Sequence, residues 1–305
     1  MALNDTTTWT GASNSTWSTA GNWTNGVPDT DGTAIIDGSV SITGGSGISN
    51  TEVDRVFVAS TYTGSIGSSG TPLELDVAEL SVDNSSSGST HYLHCTGSNN
   101  ATPTVLVDGA KTGNALYLSG DINLLIVEPT FVGTMYLGNS ASKQATPKDV
   151  IMLTSSGTVD ATTAGNVAWV SSATVHLLSG TLKLGENIGA SSTLNMSGGT
   201  LTVSDWTKVS SDVLNLSGGT VNWNAGSTGV DTPTATTITT LNVMGGTFTT
   251  AANVKAQVGF TTINQYGGTV NLQSSFANIE ILTAYNGYAG TYSPPKQSVI
   301  TTSPK

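Results

Sequence analysis

The sequence predicts an all-β fold, a right-handed β-solenoid (β-helix) with coils of about 20–25 residues, an N-terminal cap or arm and an extended C-terminal tail. Three observations predict this fold. A segment with a central Gly-Gly-Thr recurs along the chain, its copies follow one another at intervals of 19 to 27 residues, and the composition is rich in Gly, Thr, Ser and Asn. Charged residues make up only 10% of the chain, against about 25% in an ordinary soluble domain. This composition suits strands and tight turns better than helices.

The repeat has strong and weak copies. The strong copies are residues 194–203 (LNMSGGTLTV), 214–223 (LNLSGGTVNW), 241–250 (LNVMGGTFTT) and 263–272 (INQYGGTVNL). The weaker copies keep only Gly-Thr between apolar residues, and they cover 131–137, 152–159 and 177–184. A single copy would expose its apolar face, so stacking of successive coils is expected to bury a continuous core.

The repeat template assigns a place to each side chain of a coil. Leu194 and Met196 are two residues apart and point to one side of a strand, whereas the residue between them points to the other side. The glycine pair allows a corner with positive φ that a β-branched residue could not adopt. Stacking in register therefore predicts a column of corner glycines and a ladder of asparagine amides. The predicted columns are Gly199, Gly219, Gly246 and Gly268, and Asn195, Asn215, Asn242 and Asn264.

The repeat also divides the chain into regions. The predicted solenoid covers residues 39–285, with the repeat strongest over 131–285. A separate β-sandwich stays open as an alternative for 39–130, where the repeat fades. A leucine-rich repeat would require a helix or long turn in each copy, and collagen would require Gly at every third position, so neither fits.

The two flanking regions are predicted to cap the stack or to dock on a neighbour. Trp9, Trp17 and Trp23 lie in region 1–38, where a bulky aromatic segment would cover an open sheet edge or hold a partner. Region 286–305 contains Pro294 and Pro295, and its composition is typical of an extended arm.

Several motifs carry a family resemblance. The segments TWTG (8–11), WSTAGNW (17–23), GVP (26–28) and DGTAII (31–36) resemble the start of bacterial surface proteins with autotransporter-type β-strand repeats. The later Leu-x-x-x-Gly-Gly-Thr coils are similar to the passengers of that family. They also resemble β-solenoid virion proteins of tailed bacteriophages, such as head decoration or cement proteins and tail spikes. The resemblance spans most of the chain and implies a structural or adhesive protein, which in the phage case is commonly a homotrimer.

Charge and composition exclude several classes of function. The formal net charge is −11 and Arg55 is the only arginine, so the chain offers little to neutralise the phosphates of a nucleic acid. Cys95 is the only cysteine, which excludes an intrachain disulfide. The first residues lack the basic and apolar regions of a Sec signal peptide, and no apolar stretch is long enough to span a membrane. The resemblance to phage proteins is therefore favoured over that to bacterial surface proteins, because phage proteins assemble inside the host and need no leader.

The segment His91–Cys95 is the strongest candidate for a metal site. On a strand, His91 and Cys95 share one face and His94 lies on the other, so too few ligands converge for a structural zinc, which takes four. A strand with a buried cysteine is the preferred interpretation.

A second candidate metal site is an Asp-rich segment. Asp29 and Asp31, with Asp37 nearby, have the alternating carboxylates of a calcium loop, but the segment lacks the Glu and the further ligands of an EF-hand. A turn is the simpler interpretation.

Two other activities have some support in the sequence. Glycoside hydrolysis or lyase chemistry needs paired carboxylates, and none of the candidates occupies a matched template position, which favours isolated solvated acids. The candidates are Glu186, Asp205, Asp212, Asp231 and Glu280. Threonine-rich segments such as 236–240 suggest ice binding, but the unequal coil lengths are expected to prevent a flat, registered row.

The sequence thus predicts a non-catalytic protein without a metal or cofactor. Its expected function is that of a phage virion structural protein that decorates or cements the capsid exterior, on the virion surface after synthesis in the host cytoplasm. The expected partners are further copies of itself in a homotrimer and the major capsid or another virion protein, and neither nucleic acid nor membrane. A tail spike that binds or degrades a host surface glycan and a bacterial surface adhesin remain the alternatives.

Overall fold

The computed structural model describes residues 6–44, 53–83, 85, 89–96, 103–110, 115–139, 143–162, 167–185, 191–204, 212–223, 236–250, 258–273, 279–294 and 298–300. Within these residues the chain is all-β apart from one 3₁₀ turn, Ala20–Asn22. The parallel strands stack as a β-solenoid, with coils of about 22 residues. The predicted fold class is therefore confirmed. The right hand of the coils stays a prediction that rests on the usual hand of crossovers between parallel strands.

Twenty-four strands are defined in the described residues. They are β1 (Thr6–Thr8), β2 (Thr33–Ile36), β3 (Val53–Val58), β4 (Leu73–Leu75), β5 (Val77–Asp83), β6 (His91–Cys95), β7 (Thr104–Asp108), β8 (Leu116–Val127), β9 (Thr134–Leu137), β10 (Ala145–Met152), β11 (Thr158–Ala161), β12 (Thr174–Leu177), β13 (Thr181–Leu184), β14 (Thr193–Met196), β15 (Thr200–Val203), β16 (Val213–Leu216), β17 (Thr220–Trp223), β18 (Thr236–Val243), β19 (Thr247–Thr250), β20 (Val258–Gln265), β21 (Thr269–Asn271), β22 (Ile279–Gly287), β23 (Thr291–Ser293) and β24 (Ser298–Ile300).

The chain divides into two compact units. The first comprises Met1–Val159 with Gly165–Ala168, and the second comprises Asp160–Ala164 with Trp169–Lys305. In the first unit, one parallel ladder runs β1-β2-β3-β5-β7-β8-β10 and another runs β4-β6-β8-β9. The long strand β8 belongs to both ladders. The strands between 53 and 127 pair in parallel, whereas a β-sandwich has antiparallel sheets. The sandwich alternative for 39–130 is therefore wrong for the described strands.

The second unit repeats the same arrangement more regularly. One parallel ladder runs β12-β14-β16-β18-β20-β22-β24, and the other runs β13-β15-β17-β19-β21-β23. Along the short strands, partly exposed residues alternate with buried ones. The first buried residue of each strand in the second ladder pairs with the next, which gives a column of side chains that are each at most 1% exposed. Its members are Leu182, Leu201, Val221, Phe248 and Val270. Burying a side chain of this kind contributes about 1.5–3 kcal/mol, so the stack of coils provides the core.

Unequal coil lengths do not disturb the register of the ladder β13-β15-β17-β19-β21-β23. The other ladder has one irregularity, between Phe260 and Thr262, where β20 pairs with β22. Three residues connect the two ladders at every corner of the second unit, for example 197–199 and 244–246. The differences in length fall in the other connections, such as 224–235 and 251–257. The threonines that begin β13, β15, β17, β19, β21 and β23 are consequently paired from strand to strand. The expectation that unequal coils would break such a row is wrong, because a solenoid absorbs insertions outside the paired strands.

The N-terminal tryptophans belong to the interior. Trp9, Trp17 and Trp23 are 2%, 3% and 4% exposed. Trp23 lies edge-on to both others, with ring centroids 5.2 Å from Trp9 and 4.5 Å from Trp17. Trp9 donates its indole N–H to the Val40 carbonyl at 2.9 Å, and Trp23 donates to the Trp17 carbonyl at 2.7 Å. The proposal that these side chains dock on a partner is wrong, because their rings are packed inside the region that also supplies β1 and β2.

The C-terminal region also continues the sheets. Strand β22 extends to Gly287, and β23 and β24 pair with β21 and β22. The predicted extended arm over 286–305 is therefore wrong for residues 286–293 and 298–300. Proline composition misled the prediction, because Pro294 follows β23 directly and is exposed without interrupting a strand. Pro295 lies outside the described residues.

Candidate functional site

An asparagine ladder runs along the first ladder of strands in the second unit. Asn215 donates its amide N–H to the Asn195 carbonyl oxygen, Asn242 donates to Asn215, and Asn264 donates to Asn242, each at 2.8 Å. Asn286 extends the ladder by donating to Asn264 at 2.8 Å. The sequence template missed Asn286 because Ala289 replaces the first corner glycine of that coil. A template reduced to Asn followed five residues later by Thr would have found it.

The corner glycines lie against one another in successive coils. Gly199, Gly219, Gly246 and Gly268 have φ values of +68°, +81°, +70° and +64°, in the region that other residues adopt at a cost. A Cβ added to Gly219 would lie 2.6 Å from the carbonyl oxygens of both Gly198 and Gly199. Glycine is therefore required at this position both by the positive φ and by the closeness of the backbone of the preceding corner.

The first residue of each three-residue corner forms an exposed ridge along the last coils. Met244, Tyr266 and Tyr288 occupy this position, and they are 53%, 51% and 70% exposed. The two tyrosine rings are stacked with centroids 5.0 Å apart and planes inclined by 1°. We call these three residues the corner ridge. The glycine-based template does not indicate this ridge, although the change from Ser197 to Met and Tyr at one template position is a visible signal in the sequence.

The segment His91–Cys95 is a strand with alternating burial. His91 and Cys95 are 0% and 1% exposed, and the His91 ring lies 5.7 Å from that of Tyr62. Desolvation, with a smaller contribution from Asp121, raises the pKa of the Cys95 thiol to about 12. The thiolate that binds metals or attacks substrates is therefore strongly disfavoured. Across the part of the chain that the structure describes, no group of three or more His, Cys, Asp or Glu side chains is placed to hold a metal ion.

His94 lies on the opposite face of the same strand, in a polar cluster. Its Nδ1 is 2.9 Å from the hydroxyl of Ser119, and Lys143 forms an ion pair with Glu74 beside it. Burial lowers the pKa of His94, and the Lys143 ammonium lowers it further against the opposing effect of Glu74. Ser119 is 0% exposed, so its hydroxyl is not accessible to a substrate. The cluster joins residues far apart in the sequence, which is why no local motif indicated it.

The Asp-rich segment is a turn. The Gly32 N–H donates to the Asp29 carbonyl at 3.0 Å, and Asp31 has a φ of +68°. One carboxylate oxygen of Asp37 accepts hydrogen bonds from the Gly38 N–H and the Thr61 hydroxyl, both at 2.6 Å. These contacts hold the local backbone, in agreement with the turn interpretation.

One of the five candidate carboxylates can be located. Asp212 is 3% exposed, and its Oδ1 accepts the Ser192 N–H at 3.1 Å. This contact gives the carboxylate a structural place between neighbouring coils. Glu186, Asp205 and Asp231 lie outside the described residues, as does the side chain of Glu280.

Comparisons with known proteins give no relative. No family model matches the chain, and no curated protein or solved structure matches it at a significant level. Among the described residues, no helix has the length and the hydropathy that a membrane span requires.

Proposed function

We propose that the chain is a non-catalytic virion structural protein that decorates or cements the exterior of a tailed-bacteriophage capsid. One observation carries the proposal: in the described coils, several side chains that could bind or react are either buried or used to hold one coil on the next. The asparagine amides bond to each other, Asp212 bonds to the backbone of a neighbouring coil, and Cys95 is buried as a thiol. An arrangement of this kind suits a support that must keep its shape.

Coil-to-coil contacts would give such a support its stiffness. Each coil of a solenoid contacts only its neighbours, so stability grows with every interface that is added. In the second unit an interface combines two parallel strand pairings, contacts within the buried apolar column and one amide hydrogen bond of the ladder. A capsid protein that bridges neighbouring subunits needs this resistance to local opening. The proposal includes a homotrimer and contacts with the major capsid protein.

The experiment is quantitative mass spectrometry on purified phage particles whose genome encodes the chain. The proposal predicts a copy number that scales with the capsid lattice and labelling of the head by gold-conjugated antibody. Light scattering of the purified chain tests the homotrimer. Particles that lack the protein would overturn the proposal.

A glycan-binding tail spike is a second candidate, because the corner ridge leaves two tyrosines half exposed or more. Tyrosines of this kind contribute large contact areas at recognition surfaces. Labelling at the tail, together with binding to a glycan array that Tyr266→Ser and Tyr288→Ser abolish, would support this candidate. Labelling at the head without glycan binding would remove it.

A further inference from the structure

The second unit carries an uncharged, in-register grid of hydroxyl, amide and methyl groups, which we call the threonine face. It consists of two columns on β15, β17, β19, β21 and β23. The first column is Thr200, Thr220, Thr247, Thr269 and Thr291, and the second is Thr202, Asn222, Thr249, Asn271 and Ser293. All ten residues are partly or fully exposed. The second column continues to Lys183, which marks one end of the uncharged part.

The strand register fixes the spacing of this grid. Neighbouring strands are about 4.8 Å apart, and residues two apart along a strand are separated by about 6.6–6.8 Å. Isolated sheets twist, whereas stacked sheets with side-chain ladders stay flat. The second unit has such a ladder in its asparagines, beside the strands of the threonine face. The two columns are therefore held as regular, parallel rows.

Ice presents nearly the same spacing. A hydrogen bond of about 2.75 Å between waters, repeated tetrahedrally, puts second-neighbour oxygens about 4.5 Å apart and gives a repeat of about 7.3 Å along the hexagonal axis. The mismatch with the protein grid is about 0.3 Å per coil along the columns and about 0.5–0.7 Å between the two columns. Over the four steps from Thr200 to Thr291 the mismatch along the column sums to about 1.2 Å, which is less than half a lattice repeat. Waters held by the hydroxyls can therefore belong to one lattice row.

We propose that the threonine face binds ice. Its ten residues include no charged side chain, so a polyelectrolyte gains no ion pairs there. They include no aromatic ring for a sugar to stack on, unlike the corner ridge. Hydroxyls that fix waters at lattice spacing, with methyl groups between them that limit other hydration, favour ordered water over other ligands. The inference goes beyond the proposed structural role and does not depend on it.

The test compares two threonines of the same coil. Thr247→Lys places an ammonium in the centre of the threonine face. Thr240→Lys is the matched control, because Thr240 is also a partly exposed threonine at an outward position but lies on β18, in the other ladder. The full chain and both variants are assayed for thermal hysteresis and for incorporation into a slowly growing ice sphere. Circular dichroism melting checks that each variant is folded.

The wild-type chain and Thr240→Lys are expected to concentrate in the ice fraction, and Thr247→Lys is expected to be depleted there by about tenfold, since a charge would be buried against the lattice. Absence of hysteresis and of ice incorporation in the wild type would overturn the proposal. So would equal loss in both variants, or full activity in a folded Thr247→Lys. Retention of the wild type, but not of Thr247→Lys, on insoluble polysaccharide without ice activity would overturn the proposal and assign the face to a glycan instead.

Discussion

Replacing a corner glycine tests the contact between successive coils. Gly219 and Gly38 have φ values of +81° and +89°, so alanine meets a similar dihedral penalty at both sites, about 1–2 kcal/mol. The surroundings differ. A Cβ at Gly219 would lie 2.6 Å from two carbonyl oxygens of the preceding corner, whereas a Cβ at Gly38 has nothing within 4 Å. Overpacking of this kind adds about 1–3 kcal/mol.

We therefore expect Gly219→Ala to cost about 2–5 kcal/mol and Gly38→Ala about 1–2 kcal/mol. Native-state hydrogen exchange reports each unit separately and offers matched probes. The Thr247 N–H donates to the Gly219 carbonyl at 2.9 Å, and the Thr63 N–H donates to the Gly38 carbonyl at 2.7 Å. The difference between the losses of opening free energy that the two substitutions cause measures the energetic contribution of the contact between neighbouring corners. Equal costs would refute the reasoning, because they would mean that the corners do not touch.

Three further outcomes are expected. Asn242→Ala removes two amide hydrogen bonds, and Asn286→Ala removes the bond from Asn286 to Asn264. Chemical unfolding should therefore show losses in the free energy of unfolding of about 2 and 1 kcal/mol. Equal losses would contradict a continuous ladder. Cys95, with its pKa raised to about 12, should resist iodoacetamide at pH 8 in the native protein and react in urea; rapid native labelling would show that the thiol is accessible. The pKa of His94 in the folded protein lies below 6.5. As the pH falls, the unfolded chain therefore binds the proton first, and the stability of the first unit should decrease as the pH drops through 6.5. His94→Gln should flatten this pH dependence of stability, and an unchanged slope would assign the dependence to another group.

The repeat made much of the second unit predictable. Alternation around the glycine pair placed Leu194 and Met196 in the core, and one matched position indicated the asparagine ladder. The template was too strict at its ends, where Gly180 and Gly290 adopt the corner conformation without a preceding glycine. Their φ values of +79° and +99° show that the second glycine is the essential one.

Other features depend on contacts that no local pattern contains. Lys143 reaches Glu74 across 69 residues of sequence, and the cluster around His94 exists only because β4, β6 and β8 lie side by side. Composition predicts an aromatic cap or a docking arm for the tryptophans of region 1–38, but it does not show whether their side chains are exposed. Unequal coil lengths predict a broken threonine row only if coil length sets the register, whereas in this row the register depends on the paired strands and on corners of constant length.

Disulfide trapping between neighbouring corners tests the stacked register most directly. Ser197 and Ser217 follow paired residues of β14 and β16, and the Ser217 N–H donates to the Met196 carbonyl at 2.8 Å. Their Cα atoms are expected to be about 4.8 Å apart, within the range of about 4.4–6.8 Å that a disulfide spans. In a Cys95→Ala background, Ser197→Cys with Ser217→Cys should therefore crosslink on mild oxidation, whereas Ser197→Cys with Met244→Cys, two coils apart at about 9.6 Å, should not. Failure of the first pair, or crosslinking of the second within one molecule, would contradict the in-register stack.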